Sequence, residues 1–68
     1  MGVKMKLRYI GNREIDLIPD KIYEAYKKRD TTGDYYSIFD EGDDWYVYGV
    51  KFVEENFEIV EEDTIEEL

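Results

Sequence analysis

Hydrophobic and polar side chains alternate at the start of the chain. Apolar residues occupy every second position from Val3 to Tyr9, and the positions between them are basic: Lys4, Lys6 and Arg8. Because successive side chains of a strand point to opposite faces, this period of two predicts a β-strand with one buried face. The polar segment over residues 11–20 predicts a long loop.

The middle of the chain predicts three more strands. Residues 21–29 (KIYEAYKKR) are rich in β-forming residues, although their apolar positions also suit a short helix. The stretch YYSIFDEGDDWYVYGV, residues 35–50, is typical of a hairpin because a short acidic loop containing glycine separates two aromatic runs. Its strands are predicted over residues 35–40 and 44–50.

The last part of the chain is short and acidic. Residues 51–56 (KFVEEN) predict a single 3₁₀ turn, and residues 57–60 predict a short last strand. From Glu61 onward the segment EEDTIEEL is expected to fray, because it has little apolar surface to bury.

Five closely connected short strands favour an all-β fold, a small five-stranded SH3-like barrel in which closure removes exposed edges. In that layout the loop at 11–20 takes the place of the RT loop, the turn at 30–34 that of the n-Src loop, and 40–44 forms the distal hairpin. We expect one domain over residues 1–62, followed by an acidic tail over residues 63–68.

Charge is distributed unevenly along the 68 residues, whose net charge is −9. Residues 1–29 carry eight Lys or Arg and four Asp or Glu, whereas residues 30–68 carry only Lys51 against fourteen Asp or Glu. An acidic chain repels phosphate backbones, so direct nucleic-acid binding is not expected. In an SH3-like barrel the first and last strands are neighbours, which would place the basic residues Lys4, Lys6 and Arg8 beside the acidic residues Glu58, Glu61 and Glu62.

The residue types argue against catalysis. The chain has no histidine and no cysteine, and Ser37, its only serine, lies within a predicted strand. The carboxylates of DEGDD, residues 40–44, lack the spacing of a calcium loop and suit a tight hairpin instead. We therefore expect no enzyme, no metal and no cofactor. The absence of cysteine favours the cytoplasm, and no apolar run approaches the ~20 residues of a membrane span.

Residues 35–50 hold six of the eleven aromatic residues, which cannot all enter one core because strand neighbours face opposite ways. They either bind a partner or stabilise a small sheet through cross-strand pairs. If they bind a protein partner, the contact surface lies between these aromatics and the 11–20 loop, with Tyr35 and either Trp45 or Tyr46 as anchors. The candidate contact residues are Tyr35, Phe39, Trp45, Tyr46 and Tyr48.

The acidic half of the chain allows a second hypothesis. Its charge is explained by solubility alone, but it also suits a mimic of DNA phosphates that inhibits a nucleic-acid enzyme. The residues of this alternative acidic face are Asp43, Asp44, Glu54 and Glu55.

Several motifs carry a family resemblance. The segments YIG, KIYE, YSIFDEGDDWYVY and NFEIVEE resemble, in order and spacing over roughly residues 5–62, a family of small bacterial and phage proteins. The resemblance implies an SH3-like barrel and no assigned activity. Asp20 stands where the family usually has glycine, and Gly49 where it has proline. Because Met5 aligns with the usual family start, residues 1–4 are expected to be an extension. Together these features predict a cytoplasmic, non-catalytic protein-interaction module, a monomer or weak dimer.

Replacing Lys4, Lys6 and Arg8 together by Glu is expected to lower the free energy of unfolding. Each cross-strand pair of opposite charges contributes roughly 0.2–1 kcal/mol, and exposed charges are screened by salt. The loss should therefore be larger in about 10 mM than in about 1 M NaCl, as measured by denaturant unfolding. An equal loss at both salt concentrations would contradict the pairing.

Overall fold

The computed structural model describes residues 3–64, and the side chains of residues 3–63. Its elements in chain order are β1 (Val3–Tyr9), β2 (Ile22–Asp30), β3 (Gly33–Phe39), β4 (Trp45–Gly49), α1 (Val50–Asn56) and β5 (Phe57–Thr64). The five strands form one antiparallel sheet in the order β4-β3-β2-β1-β5. The prediction of a mostly β domain with five strands is thus confirmed.

The sheet is not closed into a barrel. β4 and β5 are its two edges, and no strand pairing joins them within the described residues. α1 follows β4 directly and connects it to β5 at the opposite edge of the sheet. α1 places Val53 in the core, so the apolar face is covered by added elements instead of by the sheet curling onto itself.

The structure confirms one predicted strand for which a helix had remained possible, and it differs from two other predicted segments. Residues 21–29, for which a short helix was the alternative, form the strand β2. The expected 3₁₀ turn is instead the seven-residue helix α1. β5 extends past residue 60 to Thr64, since it pairs along the whole of β1, and that ladder orders acidic residues that composition alone would predict to be frayed. The rest of the predicted tail, residues 65–68, lies outside the described residues.

The hydrophobic core lies on one face of the sheet, which we call the core face. All five strands except β4 contribute fully buried side chains to it, and Tyr48 of β4 packs against them. From outside the sheet, Leu17 of the 11–20 loop and Val53 of α1 complete the cluster. The buried apolar residues are Met5, Leu7, Tyr9, Leu17, Tyr23, Ala25, Tyr36, Ile38, Val53 and Phe57.

β1 and β5 are neighbours, as the charge pattern predicts. Arg8 lies opposite Glu58 and forms an ion pair with it at 3.2 Å. Lys6 lies opposite Glu61. A one-residue bulge in β5 shifts the register between Lys6 and Leu7, so that Lys4 lies opposite Asp63 instead of a glutamate, and Glu62 lies opposite the buried Met5.

Gly11 is expected to tolerate no side chain, because a Cβ atom there would lie 2.6 Å from Asn56 Oδ1 and 2.8 Å from the Tyr9 hydroxyl. Gly11→Ala should therefore lower the free energy of unfolding by about 1–3 kcal/mol, the usual cost of overpacking. Gly49→Ala is the matched control, since a Cβ atom there meets nothing within 4 Å. Equal stability of the two variants in denaturant unfolding would refute the close packing at Gly11.

Candidate functional site

The aromatic residues of the β3–β4 hairpin divide between the two faces of the sheet. Tyr36 and Ile38 are buried in the core, and the register places Tyr48 and Tyr46 opposite them on the same face. The other candidates point to the opposite side, which we call the open face: Tyr35, Phe39 and Trp45. The residues predicted to form one contact surface therefore lie on both faces of the sheet, with Trp45 on the open face and Tyr46 on the core face.

The open face carries an aromatic cluster. The ring centre of Trp45 lies 5.3 Å from that of Phe39 and 5.5 Å from that of Tyr26 on β2. Tyr35 lies on the same face beside Gly49. Trp45 remains 44% exposed although it contacts two rings. We call Tyr26, Tyr35, Phe39 and Trp45 the aromatic face.

Tyr26 was not among the residues selected from the sequence. It lies in KIYEAYKKR, the segment for which strand and helix both remained possible. Its partner on β3 is Ser37, which places it on the open face. If this segment is taken as a strand with Tyr23 and Ala25 facing inward, alternation alone places the Tyr26 side chain on the open face.

Charged side chains border the aromatic face, and their signs balance. The basic residues of β1 face the open side, and the Lys28 ammonium lies 5.7 Å from the Tyr26 ring centre. Each basic residue of β1 has an acidic residue directly opposite it on β5. These pairs are Lys4 with Asp63, Lys6 with Glu61 and Arg8 with Glu58. No continuous positive stripe therefore results along this part of the sheet.

A carboxylate anchors the hairpin on the other face. Asp40 is only 4% exposed, and it accepts hydrogen bonds from the Tyr48 hydroxyl at 2.7 Å and from the Gly42 N–H at 2.9 Å. Sequence analysis placed Asp40 at the end of the predicted strand over residues 35–40, next to the acidic turn, and gave it no place in the core. Its adjacency to the apolar Phe39 gave no sign that it is buried, and the hydroxyl that binds it lies eight residues away.

A second set of contacts ties the 11–20 loop to the hairpin. The Tyr23 hydroxyl donates to Glu41 at 2.8 Å and accepts from the Ile18 N–H at 2.8 Å. The Glu41 N–H donates to the Asp16 carbonyl, and the Lys21 ammonium forms an ion pair with the Glu41 carboxylate. The loop is thus held over the core face, where Leu17 is buried.

Two tyrosine hydroxyls and one carboxylate of these contacts have shifted pKa values. Burial, assisted by the Glu41 carboxylate, raises the pKa of Tyr23 to about 12. Burial and the hydrogen bond to Asp40 raise the pKa of Tyr48. Hydrogen bonds from Lys21 and Tyr23 lower the pKa of Glu41. At neutral pH the Tyr23 and Tyr48 hydroxyls are therefore hydrogen-bond donors and the Glu41 carboxylate is ionised, an arrangement that stabilises the hairpin and its contact with the loop.

The 11–20 loop and α1 border a cavity of about 280 Å³ on the core side. Tyr48 and Phe52 form its aromatic wall, and Ile15, which is 94% exposed, projects at its rim. Glu14 and Asp16 give it acidic character. Of the predicted contact residues, only Tyr48 lines this cavity.

The alternative acidic residues lie on two separate elements. Asp43 and Asp44 belong to the β3–β4 turn, where the φ of 59° at Asp43 is a conformation that aspartate tolerates well. Asp44 accepts a hydrogen bond from the Trp45 N–H at 2.8 Å. Glu54 and Glu55 are exposed on α1. Within residues 3–64, no group of three or more acidic side chains is arranged to hold a metal ion.

The described residues contain no helix of the length and apolar character needed to cross a membrane. The chain matches no protein-family model, no curated protein and no solved structure. Functional inference therefore rests on the geometry of its surfaces.

The free energy of unfolding is expected to fall as the pH rises from about 10 to about 12. The folded-state pKa of Tyr23 lies above the ordinary tyrosine value of 10.0, so the unfolded chain releases this proton first. Tyr23→Phe should show a smaller fall across this window in denaturant unfolding. Tyr46→Phe, which removes an exposed hydroxyl from the same sheet, is the matched control for the substitution. Parallel pH profiles for wild type and Tyr23→Phe would exclude this role for Tyr23.

Proposed function

We propose that the chain is a non-catalytic protein-interaction module of SH3-like layout that binds a protein partner through the aromatic face. The observation that carries this proposal is the aromatic cluster on the side of the sheet opposite to the loop and the helix. Trp45, at its centre, keeps 44% of its surface exposed. The adjacent Val47 is 72% exposed and extends the apolar surface along β4.

The composition of this face suits protein recognition. Tyr and Trp are the residues most enriched at binding hot spots, since they bury a large rigid area and lose few rotamers. The contacts of Trp45 with Phe39 and Tyr26 hold the indole in place before binding, which lowers the entropy cost of association. The partner we infer is a protein surface with an apolar centre, with its charged groups at the rim.

Electrostatics favour a protein over a nucleic acid. Aromatic residues on a sheet can stack nucleic-acid bases, but such platforms also need a positive groove to track the phosphates. On the open face the cations of β1 lie opposite the acidic residues of β5. The net charge of −9 adds long-range repulsion of a polyanion.

The acidic residues support a second candidate, a DNA-mimicking inhibitor of a nucleic-acid enzyme. Asp43, Glu54 and Glu55 are exposed, and none of them forms an ion pair among the described residues. Asp44 is exposed as well, although its carboxylate also caps the Trp45 N–H. Such an inhibitor would bind a basic partner, and its affinity would fall steeply with salt.

Affinity capture from a lysate of the source cell at about 50 mM and about 500 mM NaCl tests both candidates, because salt screens charge-driven binding and spares apolar contacts. A partner of the aromatic face should persist at high salt and be retained about tenfold less, or worse, by Trp45→Ala. Ile15→Ala is the matched control, an exposed apolar truncation in the 11–20 loop that should retain the partner fully.

Circular dichroism must show that Trp45→Ala remains folded. A captured protein that Trp45→Ala retains as well as wild type would refute the aromatic face as the binding surface. A DNA-binding protein lost at high salt, and lost when Asp43, Glu54 and Glu55 are changed together to Asn, Gln and Gln, would establish the acidic candidate instead.

A further inference from the structure

Among residues 3–64, the open sheet leaves backbone groups of β4 without a strand partner. At the hairpin end, the Asp40 N–H donates to the Asp44 carbonyl at 3.3 Å. Opposed residues of an antiparallel pair alternate between hydrogen-bonded and non-bonded, so Tyr46 and Tyr48 also bond to β3. The alternate residues therefore direct their N–H and C=O groups outward, away from β3. These residues are Trp45, Val47 and Gly49.

Two of these outward groups are already satisfied within the chain. The Trp45 N–H donates to the Asp44 carboxylate. Gly49 is the N-cap of α1, and the carbonyl of an N-cap residue accepts the first helical hydrogen bond. The Trp45 carbonyl, both backbone groups of Val47 and the Gly49 N–H have no hydrogen-bond partner in the part of the chain that the structure describes. They form a short row along an edge whose central residue, Val47, is 72% exposed.

The two edges of the sheet differ in how they discourage strand addition. β5 carries four acidic residues and a bulge near its middle, both of which hinder pairing with another strand. β4, with the sequence WYVYG, has no charged residue, no proline and no bulge. Because β4 lacks these features, its exposed edge is suited to the addition of another strand.

We propose that two copies of the chain pair through β4, antiparallel, with Val47 of each copy at a two-fold axis. A two-fold interface must be complementary to itself, and the β4 sequence meets this condition in this register. Trp45 then lies opposite Gly49 of the second copy, where the absence of a side chain leaves room for the indole. Tyr46 lies opposite Tyr48, an aromatic cross-strand pair of the kind that stabilises sheets.

Charge complementarity favours this register over its alternatives. With Val47 opposite Val47, position 43 of one copy corresponds to position 51 of the other. Asp43 is thus directed toward Lys51, the only cation of residues 30–68. Lys51 is exposed in the first turn of α1, and its flexible side chain can reach past the end of the strand. The symmetry of the axis forms this contact twice.

The groups that remain unpaired in one copy are those that this pairing uses. The two Val47 residues share two hydrogen bonds. Each Gly49 N–H donates to the Trp45 carbonyl of the other copy, which brings the total across the axis to about four. An interface this short is weak, and its dissociation constant should lie at about 10⁻⁴ to 10⁻³ M. The dimer goes beyond the proposed function and does not rest on it. It would place two aromatic faces side by side on one continuous sheet.

Sedimentation velocity of the purified chain from about 10 µM to about 1 mM, a range that spans the expected dissociation constant, tests the dimer. The wild type should shift from monomer to dimer across this range. Val47→Pro should remain a monomer, because proline removes the outward N–H of Val47 and spares the bonds to β3. Val60→Lys, on the other edge strand, is the matched control and should dimerise like wild type.

A charge variant and a fold measurement complete the test. Lys51→Glu should weaken dimerisation about tenfold at low salt and less at high salt. At each end of the interface it would place a glutamate opposite Asp43 of the other copy, so that like charges repel. Thermal unfolding below 10 µM, where all forms are monomeric, should be similar for wild type and Val47→Pro. A wild type that stays monomeric throughout, a folded Val47→Pro that still dimerises, or a Val60→Lys that fails to dimerise would overturn the proposal.

Discussion

The hydrogen bonds at the base of the β3–β4 hairpin determine which surfaces of this small domain are available. Asp40 is held by Tyr48 and Gly42, and the neighbouring Glu41 is held by Tyr23 and by the backbone of the 11–20 loop. These contacts keep the loop over the core face, where it covers the apolar side chains together with a helix of only seven residues. With its covering elements on one face, the chain leaves the aromatic side chains of the other face in contact with solvent.

Local patterns in the sequence predicted most strands, because alternation is a property of neighbouring residues. The strand β1 and the β3–β4 hairpin follow directly from it. Alternation also required that large aromatics lie on both faces of the hairpin, but it could not tell which face was which. That choice depends on Leu17 and Val53, which are distant in sequence and cover one face only. The candidate contact residues were therefore predicted to form one surface, whereas they lie on two faces of the sheet.

The pairing of β1 with β5 was predicted, but its full length and its effect on the acidic residues were missed. The acidic residues of β5 look disordered in isolation, and they become a strand because β1 supplies backbone partners and opposite charges. Closure into a barrel was inferred from the number, order and close connection of the strands and from the family resemblance. Whether a sheet closes depends on its first and last strands in space, and here the helix after β4 leads the chain away from that pairing.

The pairing of β1 with β5 also bears on how the domain folds. It connects residues about fifty positions apart, as in the contact between Arg8 and Glu58, whereas the hairpin pairs residues close in sequence. Such distant contacts form late, because the entropy of closing the intervening chain must first be overcome. Until β5 docks, β1 is itself an edge of the sheet. In a chain in which β5 has not yet docked, the basic side chains along β1 discourage other strands from adding, so their charge disfavours edge-to-edge aggregation in addition to pairing with β5 in the folded state.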